Sequence, residues 1–135
     1  MPAAPAWGGM DHSSLIDLAV LPVRITARAL EPIHVPANPG SSLRGAFGAA
    51  LYRLVCAHRE RSVCAGCPAE ATCAYPYLFA TRAAPGQPGT AGFHDLPRPY
   101  VIRGDAGETL VAPGETLTWG VTLIGRAIEQ LPFFA

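Results

Sequence analysis

The stretch that decides the fold, residues 41–79, reads SSLRGAFGAALYRLVCAHRERSVCAGCPAEATCAYPYLF. Its first part has apolar residues every three or four positions, which predicts an amphipathic helix capped by Ser41 or Ser42. The predicted buried stripe consists of Leu43, Phe47, Leu51 and Leu54, with Ala50 filling in. Gly45 and Gly48 interrupt this helix, and glycine costs about 1 kcal/mol against alanine there. We therefore expect a sheet or a ligand to pack close to the helix backbone.

The second part of the stretch contains all four cysteines, Cys56, Cys64, Cys67 and Cys73, in the pattern C-x7-C-x2-C-x5-C. The C-x2-C step suits a tetrahedral metal ion, and four thiolates would leave no open coordination position, which predicts structural zinc. An iron–sulfur cluster, two disulfides and four free thiols are the alternatives. His58 could replace one cysteine as a ligand. Tyr75, Tyr77, Leu78 and Phe79 then form an apolar patch expected to close over the helix.

Composition limits the function classes. Half of the residues are hydrophobic, which fits a single globular domain, and the net charge is zero, so the whole chain has no electrostatic bias toward nucleic acid. All ten basic residues are arginines, so any anion would be bound by planar guanidinium groups. No apolar run is long enough to cross a membrane, and residues 1–9 lack a signal-peptide pattern. We therefore expect a cytoplasmic protein without a membrane partner.

Two segments alternate with a period of two, which predicts strands. In residues 18–30 the positions of Val23, Ile25 and Ala27 alternate with Arg24, Thr26 and Arg28. A similar alternation runs through residues 116–123, and residues 98–103 form a shorter predicted strand. The arginines of the first segment face away from the core and could meet phosphate. Residues 31–40, 81–96 and 104–114 are rich in turn residues and are predicted to be loops.

The predicted order is strand, helix, strand, strand and a second helix beginning at residue 125. This order predicts an α+β fold, namely a ferredoxin-like unit (βαββα) whose final strand is missing, with a cysteine-rich metal knuckle at residues 56–73. The domain spans residues 15–135 and follows a disordered tail, residues 1–14. Phe133 and Phe134 leave an exposed apolar end.

Several motifs occur in the order found in a known family. They are residues 43–48 (LRGAFG), the cysteine knuckle with Ala74, Tyr75, Leu78 and Phe79, residues 97–101 (PRPYV), and residues 113–115 (PGE) through 125–128 (GRAI). In this combination the chain resembles the N-terminal half of the CRISPR-associated pre-crRNA-processing endoribonucleases of the RAMP superfamily. The resemblance covers residues 18–134.

The resemblance implies two tandem ferredoxin-like domains and metal-independent cleavage of CRISPR repeat RNA, by attack of a ribose 2′-hydroxyl on the adjacent phosphate. In the family a histidine commonly moves the proton, and a glycine-rich loop of the C-terminal half grips the RNA. The implied partners are CRISPR repeat RNA or crRNA, a C-terminal RAMP half and other effector subunits.

Candidate site residues follow from side-chain chemistry. Histidine exchanges protons near neutral pH, and His34 lies in a predicted loop over the sheet, so it is the first catalytic candidate. His58, His94 and His12 are weaker candidates. Arg24, Arg28 and Arg44 are the RNA-binding candidates, since Arg44 lies near free backbone N–H groups at the helix start.

Two other functions remain open at this point. The chain could be a non-catalytic RAMP subunit that holds crRNA in an effector complex. It could also be a zinc-stabilised interaction module that docks a partner through Phe133 and Phe134.

Overall fold

A computed structural model describes residues 17–82, 96–104 and 107–134. The predicted tail, His12, His94 and most of the predicted loop 81–96 lie outside the described residues. The structure is a mixed α+β arrangement with antiparallel sheets, as the sequence predicts. In chain order its elements are β1 (Val20–Arg28), β2 (Ile33–Val35), α1 (Gly40–Val55), α2 (Ala74–Phe79), β3 (Tyr100–Gly104), β4 (Thr109–Val111), β5 (Thr116–Ile124) and a C-terminal 3-10 helix (Gly125–Phe133).

The main sheet joins the two alternating segments. Its strand order is β1-β5-β3, and both neighbouring pairs are antiparallel. β1 and β5 pair along their full length, from Val20 opposite Ile124 to Arg28 opposite Thr116. Because successive side chains point to opposite faces, this register puts the apolar residues of both strands on one face and the arginines and threonines on the other. The predicted strands and their two faces are confirmed.

Helix α1 covers the apolar face, but two details of its prediction are wrong. It begins at Gly40 after Pro39, and no side chain caps its first turn, so neither Ser41 nor Ser42 is a cap. Leu54 is 72% exposed and does not belong to the buried stripe. Val55, one residue on, packs against the core instead. The period brings both residues near the buried side, and the position of the neighbouring elements decides between them.

The apolar patch after the cysteines forms the short helix α2, which closes over α1 as expected. Its residue Leu78 is fully buried, and its residue Phe79 packs on Gly48 of α1. A Cβ atom at Gly48 would lie 2.8 Å from the Phe79 ring, so this glycine permits the close approach of the two helices. A Cβ atom at Gly45, by contrast, would have no neighbour within 4 Å.

Phe134 is buried, which corrects the predicted exposed apolar end at this residue. Phe134 is only 6% exposed, and its ring lies 4.3 Å from that of Phe47 and 5.7 Å from that of Tyr100 (centroid distances). Phe133 stays partly exposed. The predicted second helix is present as the 3-10 helix, which includes Pro132.

A second, two-stranded sheet lies in segments predicted to be loops. β2 and β4 pair antiparallel, with His34 opposite Leu110. Each strand has only three residues, too few to show a period in the sequence. Within the ranges that the structure covers, no helix is long and apolar enough to cross a membrane.

Candidate functional site

The outward face of the main sheet is positively charged. Arg24 of β1 and Arg103 of β3 both lie opposite Gly120 of the central strand β5. Since strands are about 4.8 Å apart, the two arginine backbones are separated by roughly 10 Å, with no side chain between them. The two arginines, with Thr118 and Thr122, line a shallow depression of about 730 Å³. All of these groups are hydrogen-bond donors suited to phosphate oxygens.

No carboxylate neutralises these charges on the strands that form this face. The outward positions, which follow from the register, carry Val20, Pro22, Arg24, Thr26 and Arg28 in β1, Val101 and Arg103 in β3, and Thr116, Thr118, Gly120, Thr122 and Ile124 in β5. Among the described residues, none of the three arginines forms an ion pair. Thr26 and Thr118 are hydrogen-bonded to each other at 3.0 Å between their hydroxyl oxygens.

The three predicted RNA-binding arginines do not lie together. Arg24 and Arg28 share the outward face of the sheet, whereas Arg44 lies on α1, which packs against the opposite face. Arg103 was missed, although the alternation of residues 100–103 places it on the outward face by the argument used for Arg24. The sequence therefore contained the signal for this third arginine of the sheet.

His34 lies on β2, not in a loop, and it has a carboxylate partner. Its Nε2 atom lies 2.8 Å from Oε1 of Glu108, in position to donate a hydrogen bond, and both side chains are more than half exposed. His34 and Arg28 line one largely apolar cavity of about 420 Å³ between α1 and the sheet. The lining of this cavity therefore includes an imidazole and Arg28, the last residue of β1, whose strand position belongs to the outward face.

The cysteine loop between α1 and α2 is built from consecutive turns. The N–H of Cys67 donates to the carbonyl of Cys64 at 3.0 Å, and Gly66 between them has the positive φ of 71° that this turn uses. The N–H of Cys73 likewise donates to the carbonyl of Ala69 at 2.9 Å. Glu70 accepts a hydrogen bond from the backbone N–H of Gly66.

All four cysteines line one cavity of about 240 Å³, together with His58. Burial raises the pKa of the Cys64 thiol, and the negative charges of Cys73, Cys56, Cys67 and Glu70 raise it further. All four are free thiols. Across residues 17–82, 96–104 and 107–134, however, no three histidine, cysteine or acidic side chains are placed close enough to hold a metal ion. The four thiols line one cavity, but the structure does not bring three of them within coordination distance of a common ion.

A family model, AF_1859_N, described as an N-terminal domain, matches residues 18–135. The chain belongs to this family. The AF_1859_N match covers the main sheet, both α-helices and the cysteine loop. No curated protein and no solved structure matches the chain.

Proposed function

We propose that this chain is the N-terminal RNA-binding domain of a CRISPR RNA-processing endoribonuclease, and that it holds repeat RNA on the outward face of its sheet. The observation that carries the proposal is the row of Arg24, Gly120 and Arg103 across three strands, with Arg28 on the same face and no carboxylate among its strand positions. Arginine pairs of this kind are well matched to phosphate oxygens.

The strand order supports the ferredoxin-like part of this proposal. β5 is antiparallel to both β1 and β3, so β1 and β3 run parallel with β5 inserted between them. α1 lies between β1 and β3 in the chain and packs on one face of the sheet. This is the split βαβ arrangement on which ferredoxin-like domains are built.

The chemistry of the sheet face favours contact with the RNA backbone rather than with bases. The outward positions carry no aromatic ring, since Trp119 and Tyr100 belong to the apolar side. Domains that read single-stranded bases on a sheet do so with exposed aromatic residues. We therefore expect this face to bind different sequences similarly and to depend strongly on salt.

Replacing Arg24 and Arg103 together with glutamine should weaken binding of labelled single-stranded RNA at least about tenfold at low salt. Each phosphate contact to a single strand contributes about 0.7 to the slope of log affinity against log salt, so the slope should fall by about 1.4. Fluorescence anisotropy across a salt series measures both quantities. The control is Arg126→Gln, on the 3-10 helix, where the arginine pairs with Glu129. Equal affinities for the double variant and this control would contradict the proposal.

A second candidate function, metal-independent cleavage, is favoured by the His34–Glu108 pair beside Arg28. In this hypothesis His34 takes the proton of the ribose 2′-hydroxyl, the 2′-oxygen attacks the phosphorus, and the 5′-oxygen leaves with a proton from solvent. Glu108 holds the ring by accepting from Nε2, which leaves Nδ1 to act as the base. Arg28 binds the phosphate that gains charge in the transition state.

His34→Ala should lower cleavage of repeat RNA by about 10² to 10⁴, the usual contribution of a general acid or base. The assay follows the 2′,3′-cyclic phosphate product with EDTA present, and binding is measured in parallel. His58→Ala serves as the matched control, since His58 also lies near a carboxylate, that of Glu60. RNA binding with no cyclic product from any variant would identify instead a non-catalytic subunit that holds crRNA.

We also propose that Cys56, Cys64, Cys67 and Cys73 bind one structural zinc ion. The support is the donor set and its placement: four thiols line one small cavity, and a turn at Gly66 lies within the C-x2-C step. Zinc binding would require the loop to rearrange until the four sulfurs reach a common ion in tetrahedral geometry. The remaining alternative is that exposed C-terminal aromatics dock a partner. Phe134 does not contribute to such a surface, because it is buried.

A further inference from the structure

A second surface, on the helix side of the sheet, has features that the sheet face lacks. A groove of about 500 Å³ runs between α1 and α2. Its α1 side is formed mainly by the small residues Gly45, Gly48 and Ala49, and its α2 side by Tyr75 and Phe79. Arg44 lies at the end of the groove that is nearer the start of α1. We call this surface the α1–α2 groove.

Gly45 in this groove has no packing explanation. Its neighbour Gly48 is required by the Phe79 ring, but the space above Gly45 is open. A glycine inside a helix costs about 1 kcal/mol relative to alanine, so a packed neighbour or a bound group is its usual justification. In the described residues no neighbour fills that space.

The groove has an aromatic wall. The rings of Tyr75 and Phe79 are stacked, with centroids 5.4 Å apart and planes inclined by 14°. Tyr52, on α1, meets the Tyr75 ring edge to face at 5.2 Å. Tyr52, Tyr75 and Phe79 are all partly exposed. Partly exposed rings beside an open floor can stack on a nucleobase.

A buried hydroxyl without a partner lies next to this wall. Tyr100 is 3% exposed, its ring lies 5.7 Å from that of Phe79, and its Oη atom has no hydrogen-bond partner. Burial raises the pKa of Tyr100, while the positive charges of Arg44 and Arg98 oppose that shift. An unpaired buried hydroxyl costs about 1–3 kcal/mol, so a bound acceptor would recover free energy.

Two arginines from different elements lie near the aromatic wall. Arg98, just before β3, donates from Nη2 to the carbonyl of the groove residue Phe79 at 3.2 Å. Arg44 lines the groove itself. Both side chains are long and exposed, so they can reorient toward a bound anion. In the described chain neither arginine has an ion-pair partner.

We propose that the α1–α2 groove binds one nucleotide of the RNA, with its base stacked on the Tyr75–Phe79 wall over Gly45 and its phosphate held by Arg44, Arg98 and the Tyr100 hydroxyl. The proposal rests on the proposed RNA-binding function but concerns the opposite side of the domain. It gives the domain a subsite for a splayed base, which the sheet face cannot provide.

The test is isothermal titration with adenosine 5′-monophosphate, adenosine and inorganic phosphate. We expect the monophosphate to bind at least about tenfold more tightly than either fragment, because it uses both halves of the site. Tyr100→Phe should weaken monophosphate binding about tenfold and leave adenosine binding unchanged, since a hydrogen bond to a charged group is lost. Arg44→Gln should act in the same direction. Gly45→Leu, which the open space admits, should abolish binding of the monophosphate and of adenosine.

The Arg24→Gln/Arg103→Gln variant separates the two proposals. This variant should keep full affinity for the monophosphate. Loss of RNA binding in this variant alone would therefore bear on the sheet-face proposal and not on the groove proposal. Unchanged monophosphate affinity in both Arg44→Gln and Gly45→Leu, with the variants folded by circular dichroism, would overturn the groove proposal. So would inorganic phosphate binding as tightly as the monophosphate, because the base would then contribute nothing.

Discussion

If the four cysteines bind zinc as proposed, chelation should destabilise the protein by at least about 2 kcal/mol and lower its thermal midpoint by roughly 8 °C. The reason is that the cysteine loop has no buried core of its own. None of residues 56–73 belongs to the buried core, and Val63 in this loop is 58% exposed. Without a metal the loop is held by turn hydrogen bonds, which contribute about 1 kcal/mol each. The loop connects α1 directly to α2, so its loss should loosen both helices.

The measurement is thermal unfolding before and after chelation, together with metal analysis of the purified protein. We expect one zinc per chain, and Cys67→Ser should lose both the metal and the added stability. Ser62→Ala, an exposed position in the same loop, is the matched control and should lose neither. Iron in the preparation would identify a cluster instead. Four titratable thiols with no metal, and a midpoint insensitive to chelator, would contradict the zinc proposal.

The main sheet could be predicted because its strands are long enough to show a period. The alternation runs from Val23 to the end of β1 and through residues 116–123 of β5, so the two faces could be assigned before the pairing was known. β2 and β4 could not be found in this way, because three residues fit any pattern. They form a sheet only because the chain brings them together, which is tertiary information.

The candidate site, too, could be predicted from the sequence only in part. The outward direction of Arg24 and Arg28 follows from the alternation of side chains along a strand. The outward direction of Arg103 could be predicted by the same rule. The partner of His34 could not be predicted, since Glu108 is 74 residues away and pairing across that distance depends on the β2–β4 sheet. The burial of Phe134 could not be predicted either, because it depends on where the 3-10 helix places this ring relative to α1. The structure buries it under α1, against Phe47.

The two leucines Leu54 and Leu78 give the sharpest test of the helix packing. Helical periodicity alone assigns Leu54 to the buried stripe of α1, whereas the structure leaves it 72% exposed and buries Leu78 of α2 completely. Leu78→Ala removes apolar atoms from a packed core and leaves a cavity, so it should cost about 2–5 kcal/mol of unfolding free energy. Leu54→Ala removes the same atoms from a surface position and should change it by less than about 0.5 kcal/mol.

Urea unfolding monitored by circular dichroism measures both values on one scale. A large cost at Leu78 with none at Leu54 would establish that α2, rather than the last turn of α1, completes the core. It would also explain why α2 directly follows the last cysteine: a loop anchored by metal would hold the helix in place over Gly48. Equal costs at the two positions would mean that something covers Leu54 in solution, and α1 would then present a different face to the sheet.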